Sequence, residues 1–207
     1  MSRKVIIGVD PGADGAVVVF KDGVFLEKHT VPKKTVKSTK AAKEKSTGKN
    51  KKDSKGKLIY NDKKVMDEIQ HNLVFKDLKQ RYPDACVFIE KVKNIMSVGA
   101  VQNFNFGHNF GLVRGFIIAN GFDDFHEYTP QVWQKPIVLL CDYVYTSSGK
   151  DTKQSSLKAF KRLFPNEDMR ATPRSTIFHD GLVDAALIAK FADTIHNKTD
   201  DDYFDGL

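Results

Sequence analysis

The 207 residues are 41% hydrophobic and 29% charged, which fits a soluble domain with its own core, and no apolar run approaches the roughly 18 residues of a membrane helix. The net charge of +7 is uneven: Lys33 to Lys57 holds 11 lysines against Glu44 and Asp53, a local +9, so the remainder sums to about −2. Two cysteines, Cys86 and Cys141, without partners at zinc spacing, exclude a disulfide framework and read as small core residues. Met1-Ser2-Arg3-Lys4 runs straight into a short strand with no signal-peptide core, so a reducing compartment is expected.

The chain opens on Val5-Ile6-Ile7-Gly8-Val9, β-branched apart from its glycine, a pattern that predicts a buried central strand. It ends in Asp10, fixed by a rigid Pro11-Gly12 turn. A carboxylate beside a core is costly unless it is paired or holds a cation; a solvated turn aspartate is the alternative. Gly12 to Gly15 turns the chain, Ala16 to Phe20 resumes as a strand, and Lys21-Asp22-Gly23 marks a hairpin into Val24-Phe25-Leu26. Three antiparallel strands therefore open the domain.

Residues 33–57 lack aromatics and have Val36 as their only large aliphatic, so they read as a disordered basic insertion. Its role is either a phosphate clamp on nucleic acid or a solubilising linker. Asn61 then predicts the N-cap of a helix to about Gln80, with Val65, Ile69, Leu73 and Leu78 on its apolar stripe. Ala85-Cys86-Val87-Phe88-Ile89 is a second buried strand that again ends in a carboxylate, Glu90.

From about Ser97 to Asn120 the pattern is helical, and Gly107, Gly111 and Gly115 predict a face lying hard against the sheet. Phe104, Phe106, Phe110 and Phe116, at helical spacing, read as core rather than as base-stacking residues. Phe125 to Tyr128 is a short strand, and Thr129-Pro130 begins a helix that Pro136 stops or kinks. Residues 142–149 read as a loop, followed by a basic amphipathic helix from Asp151 to Phe164 with Lys153, Lys158, Lys161 and Arg162. Residues 197–207 form a short acidic tail, expected to be frayed.

In the last helix, Asp180 and Asp184 lie four residues apart on a face that continues into Leu187, Ile188 and Phe191. An N-cap role explains Asp180 but not Asp184, which interrupts an apolar stripe. Two strand-end carboxylates and this pair can converge on one sheet edge, where like charges repel by on the order of 4 kcal/mol at about 4 Å and an effective dielectric near 20. Such a cluster holds protons or attracts metal, and oxygen-only ligands favour Mg²⁺ or Mn²⁺ over zinc. Two ions roughly 3.5 to 4 Å apart suit in-line phosphodiester hydrolysis. The turn after Asp10 lacks the Lys-Ser/Thr ending of a P-loop.

Ile7-Gly8-Val9-Asp10-Pro11-Gly12, Phe88-Ile89-Glu90-Lys91-Val92, Tyr128 to Lys135, Lys158 to Pro165 and His179 to Ala189 together resemble RuvC-type Holliday junction resolvases, particularly the bacteriophage branch. The resemblance covers nearly the whole chain apart from the basic insertion. It implies an α/β, RNase H-like fold: a five-stranded mixed sheet, its first three strands antiparallel, with helices on both faces, in a single domain over 1–207. It further implies a homodimer that nicks four-way DNA junctions symmetrically and leaves 5′-phosphate ends. Asp10, Glu90 and Asp184 match the family's catalytic, metal-binding carboxylates and Asp180 the fourth of the phage-type pattern, holding two Mg²⁺ ions for which Mn²⁺ substitutes.

Lys153 falls near a family lysine that contacts the scissile region, and Lys91, Lys93, Lys158 and Lys161 are the further DNA-binding candidates. Lys93-Asn94-Ile95-Met96 stands where cellular members carry an aromatic residue. No membrane partner is expected, and the setting implied is cytoplasmic, the host cytoplasm for a viral protein. The competing readings are a broader fork or flap nuclease, a non-catalytic architectural DNA-binding protein, and a sugar-kinase-like phosphotransferase, for which the chain is too short.

Overall fold

A computed structural model describes residues 4–44, 46–93 and 99–196. In chain order the elements are β1 (Ile6–Asp10), β2 (Ala16–Lys21), β3 (Val24–Thr30), β4 (Lys33–Ala41), β5 (Tyr60–Met66), α1 (Glu68–Arg81), β6 (Cys86–Glu90) and α2 (Ala100–Ala119). There follow β7 (Phe125–Tyr128), α3 (Pro130–Ile137), β8 (Val144–Thr146), β9 (Gly149–Asp151), α4 (Thr152–Leu163) and α5 (Asp180–His196). The central sheet has the order β3-β2-β1-β6-β7; its first three strands are antiparallel, and β6 and β7 run parallel to β1. This is the α/β arrangement that the resemblance implies, a five-stranded mixed sheet with its first three strands antiparallel.

Side chains alternate across the sheet, and both faces are covered. Ile7, Val9, Val87 and Ile89 pack with Phe75 and Leu78 of α1 and with Val113 and Ile117 of α2. Ile6, Val18, Phe20, Cys86 and Phe88 pack with Trp133 of α3, Phe160 of α4 and the apolar face of α5. By the same alternation, Asp10 and Glu90 belong to the α5 face. Gly8 lets α5 close on β1: a Cβ there would collide with the Ala185 carbonyl and lie 2.9 Å from the Cβ of Ala189. No helix among the described residues is long and apolar enough to cross a membrane.

Several local expectations are corrected. The basic stretch 33–57 is not a structureless loop, since β4 and β5 pair from Lys33↔Met66 to Ala41↔Tyr60 and isolated bridges Lys43↔Asn50 and Lys52↔Leu58 continue towards the tip. A two-stranded ribbon needs outside support, and here its base is fixed by buried Met66 and by ion pairs Lys33–Asp14 and Lys34–Glu68. Cross-strand Lys37 and Asp62 offset part of the charge. Because Tyr60–Met66 is a strand, α1 starts at Glu68; Asp67, not Asn61, is its N-cap and accepts from the Gln70 N–H at 3.2 Å. Its buried stripe is His71, Phe75 and Leu78, leaving Ile69 and Leu73 exposed.

The glycine face of α2 does not meet the sheet, because a Cβ at Gly107, Gly111 or Gly115 would touch nothing within 4 Å. Val113 and Ile117 face the core instead. Phe110 and Phe116 pack partly against it, whereas Phe104 and Phe106 are exposed. Residues 142–149 are not all loop, since β8 and β9 form a small hairpin that leads into Asp151, the N-cap of α4. The acidic tail at 197–207 lies outside the described residues.

Candidate active site

Register brings the strand-end carboxylates together. The parallel pairing runs from Ile6↔Cys86 to Val9↔Ile89, and one further step sets Asp10 beside Glu90. α5, seated on Gly8 through Ala185 and Ala189, places Asp184 over the same edge. Their charges are linked: Asp10 raises the pKa of Glu90, and both raise that of Asp184.

Burial is the main cause of each shift. It lifts Asp10 to about 6, against the Gly12 N–H that donates to its Oδ1 at 2.9 Å. It lifts Glu90, together with the Asp10 charge, to about 7, against a 2.9 Å hydrogen bond from the indole Nε1 of fully buried Trp133. It lifts Asp184 to about 8, with Asp10 and Glu90 adding to it and the Ser156 hydroxyl opposing it. Oδ1 of Asp184 is buried without a hydrogen-bond partner. An orphaned carboxylate oxygen facing two other carboxylates fits a cation-binding role.

Asp180 stands apart from this trio. His179, not Asp180, caps α5: its carbonyl accepts from Val183 N and its Nδ1 from Leu182 N at 3.3 Å. Asp180 is the first helical residue, more than half exposed, and accepts from Lys153 Nζ at 2.7 Å. It therefore sits on the rim of the site.

Two open clefts meet at Asp10. One, of about 680 Å³, runs past Asp14, Lys153, His179, Asp180 and Asp184. The other, of about 300 Å³, runs past Glu90, Lys91, Lys93 and Gln131. Asp10, Gly12 and Phe106 line both, so the two form a trough over the acid cluster with an exposed aromatic ring on its wall.

Of the basic candidates, Lys91, Lys93 and Lys153 border this trough, and Lys91 also pairs with Glu127 at 3.1 Å. Lys158 and Lys161 are engaged elsewhere: Lys158 donates to the Cys141 carbonyl at 2.6 Å, and Lys161 lies over the Phe178 ring. Asn94 to Met96, where cellular members of the resembled family carry an aromatic residue, lie outside the described residues. Sequence reasoning missed Trp133, Ser156 and Phe106 as parts of the site. A buried tryptophan four residues after the Thr129-Pro130 helix start was the one visible signal, because an indole N–H in a core needs an acceptor.

No protein-family model matches the chain, and no curated protein matches it. Among solved structures it is similar to Thermus thermophilus RuvC in complex with a Holliday junction substrate, with a TM-score of 0.46 and 13% identity over 91% of this chain and 92% of that one. It is also similar to a second Thermus thermophilus RuvC structure, with a TM-score of 0.46 and 13% identity over 92% of this chain and 96% of that one.

Proposed function

We propose that this chain is a structure-selective endodeoxyribonuclease that resolves four-way DNA junctions and is allied to the bacteriophage branch of RuvC-type resolvases. The observation that carries this reading is the meeting of Asp10, Glu90 and Asp184 on one sheet edge, with Asp184 Oδ1 left without a partner. An all-carboxylate donor set suits Mg²⁺, with Mn²⁺ as substitute and Asp180 as a ligand from the rim. A bound pair of ions supplies an activated water and charge stabilisation for the leaving 3′ oxygen.

The chain's own residues orient this chemistry. Gly12 N–H, Trp133 Nε1–H and the Ser156 hydroxyl fix the three carboxylates. Lys153 restrains Asp180 and leaves a cation beside the larger cleft, while Lys91 and Lys93 put positive charge along the other. The β4–β5 arm, tied by Lys33 to the turn after Asp10, extends that charge along the path of a polyanion.

Symmetric nicking needs two sites, and α2 offers a surface for a second copy. Val101, Phe104, His108, Gly111, Gly115 and Ile118 recur at alternating three- and four-residue steps, all exposed, which is the spacing of a paired-helix seam. The proposed homodimer joins through this seam. Light scattering of the purified protein tests it: a dimer is expected, and Gly111→Glu should give a folded monomer.

The decisive test of function is side-by-side cleavage of four-way junctions, forks, flaps and linear duplex with Mg²⁺ or Mn²⁺. Preference for four-way junctions, abolished by Asp10→Asn and by Glu90→Gln, is expected. Equal rates on linear duplex overturn the junction assignment, comparable rates on forks and flaps favour a broader branched-DNA nuclease, and binding without cutting favours an architectural protein. Replacing Lys49, Lys51, Lys52, Lys55 and Lys57 by glutamine should lower DNA affinity and its salt slope while sparing cleavage at saturating substrate.

A further inference from the structure

β6 carries a polar side chain at each end of its α5 face, with Glu90 closing the strand and Cys86 opening it. Around Cys86 a second cluster forms. His126 comes from the neighbouring strand β7, His196 ends α5, and Asp124 immediately precedes β7. One donor atom each from Cys86, His126 and His196 lie within 4.8 Å of one another. Nε2 of His126 is 3.1 Å from Asp124 Oδ1, and Nε2 of His196 is 3.4 Å from Asp124 Oδ2. The Cys86 thiol hydrogen-bonds to the same carboxylate, and Lys4 donates to its Oδ2 at 2.8 Å. The Phe88 ring packs against both imidazoles, at centroid distances of 4.9 and 5.9 Å.

The donor chemistry differs from that of the acid cluster. One sulfur, two imidazole nitrogens and one carboxylate are a four-donor set of the kinds that structural zinc takes, and the thiolate disfavours Mg²⁺. Tetrahedral bonds of about 2.0 to 2.3 Å place donor atoms roughly 3.3 to 3.8 Å apart. Side-chain rotation that closes the present spacing by about an ångström would therefore suffice. The two sites are separate: β6 spans about 13 Å from Cys86 to Glu90, and α5 rises about 18 Å from Asp184 to His196.

We propose that Cys86, His126 and His196, with Asp124 as fourth ligand, form a zinc site that fastens the C-terminal end of α5 to β6 and β7. Binding forms a Zn–S bond, releases the Cys86 thiol proton to solvent and changes no oxidation state. Lys4 then pairs with the carboxylate oxygen that does not ligate the metal. The site fixes the far ends of the two elements that carry Asp184 and Glu90, and its existence does not depend on the nuclease reading.

The full chain, stripped with chelator and dialysed, is titrated with Zn²⁺ and, in parallel, with Co²⁺. One tightly held equivalent of Zn²⁺ is expected, along with a thermal midpoint raised by zinc. Co²⁺ should give a sulfur-to-metal charge-transfer band in the near ultraviolet and tetrahedral bands in the visible. Cys86→Ser should remove the charge-transfer band, and Cys141→Ser and the Asp10→Asn, Glu90→Gln double variant should retain it. His196→Gln, at the exposed last residue of α5, should lower zinc affinity about tenfold or more, as loss of a metal-site group does. No Zn²⁺ held beyond what His196→Gln holds, or a cobalt spectrum without the sulfur band, overturns the proposal and leaves a metal-free cluster hydrogen-bonded around Asp124.

Discussion

Trp133 Nε1 donates to Glu90 Oε2 at 2.9 Å, from an indole that is wholly buried and 43 residues away in the chain. This bond opposes the burial and the Asp10 charge that together raise the glutamate's pKa to about 7. Trp133→Phe keeps most of the packing but removes the donor, so Glu90 should hold its proton to higher pH. The acidic limb of the pH–rate profile for junction cleavage should then move upward, with a loss of roughly tenfold near neutrality. An unchanged profile would show that the indole is there for packing alone.

The acid cluster also sets how the metal-free protein responds to pH. Asp10, Glu90 and Asp184 titrate near 6, 7 and 8 in the folded chain, above the ordinary carboxylate range near 4. The folded state therefore binds more protons than the unfolded one across this interval. Stability from these groups is fully present below about pH 4 and is lost as pH rises through 6 to 8. Urea unfolding in chelator should show a decline of up to about 8 kcal/mol between pH 5 and pH 8.5. Mg²⁺ should reverse the decline, and Asp184→Asn should flatten its upper part.

Gly8 is the closest approach between the sheet and α5. Gly8→Ala puts a methyl group into the Ala185 carbonyl and against Ala189, and backbone on a packed helix has little room to yield. A destabilisation of about 1 to 3 kcal/mol is expected from overpacking. Cleavage should fall even at temperatures where the variant is folded, because Asp184 moves with the helix.

His71 shows a different cost. It is buried against Phe75 and Phe116, and neither ring nitrogen has a hydrogen-bond partner. Burial drives its pKa down to about 4, so the folded chain binds fewer protons than the unfolded one between pH 4 and 6.5. Its contribution is present above about pH 6.5 and is lost as pH falls towards 4. His71→Phe should raise the thermal midpoint and remove up to roughly 3 kcal/mol of acid sensitivity in that window.

What was legible in the sequence was what local chemistry makes costly. Asp10 and Glu90 each end a buried strand, and Asp184 breaks an apolar helix face, so all three stood out without knowledge of their neighbours. The three opening antiparallel strands followed from the strand and turn patterns, and the five-stranded mixed sheet from the family resemblance; the order of its strands came only with the structure. Contacts between distant segments were not legible. Periodicity marked the glycine face of α2 but could not say which side it turned to the sheet, and it lies outward. Composition identified the lysine-rich stretch but not the pairing of Lys33 with Met66 that orders it. The cluster around Cys86 draws on positions from 86 to 196, with only Asp124 and His126 adjacent enough to form a motif.

The β4–β5 arm leaves β3 after Thr30 and returns to the start of α1 at a point beside its own departure, where Lys33 faces Met66 and Asp67 N donates to the Pro32 carbonyl at 2.8 Å. Its two ends are thus neighbours, and the threading of the sheet is indifferent to how many residues lie between them. Such a hairpin can be lengthened, trimmed or recharged as a module, so that the reach and charge of the arm and the geometry of the acid cluster are free to vary independently.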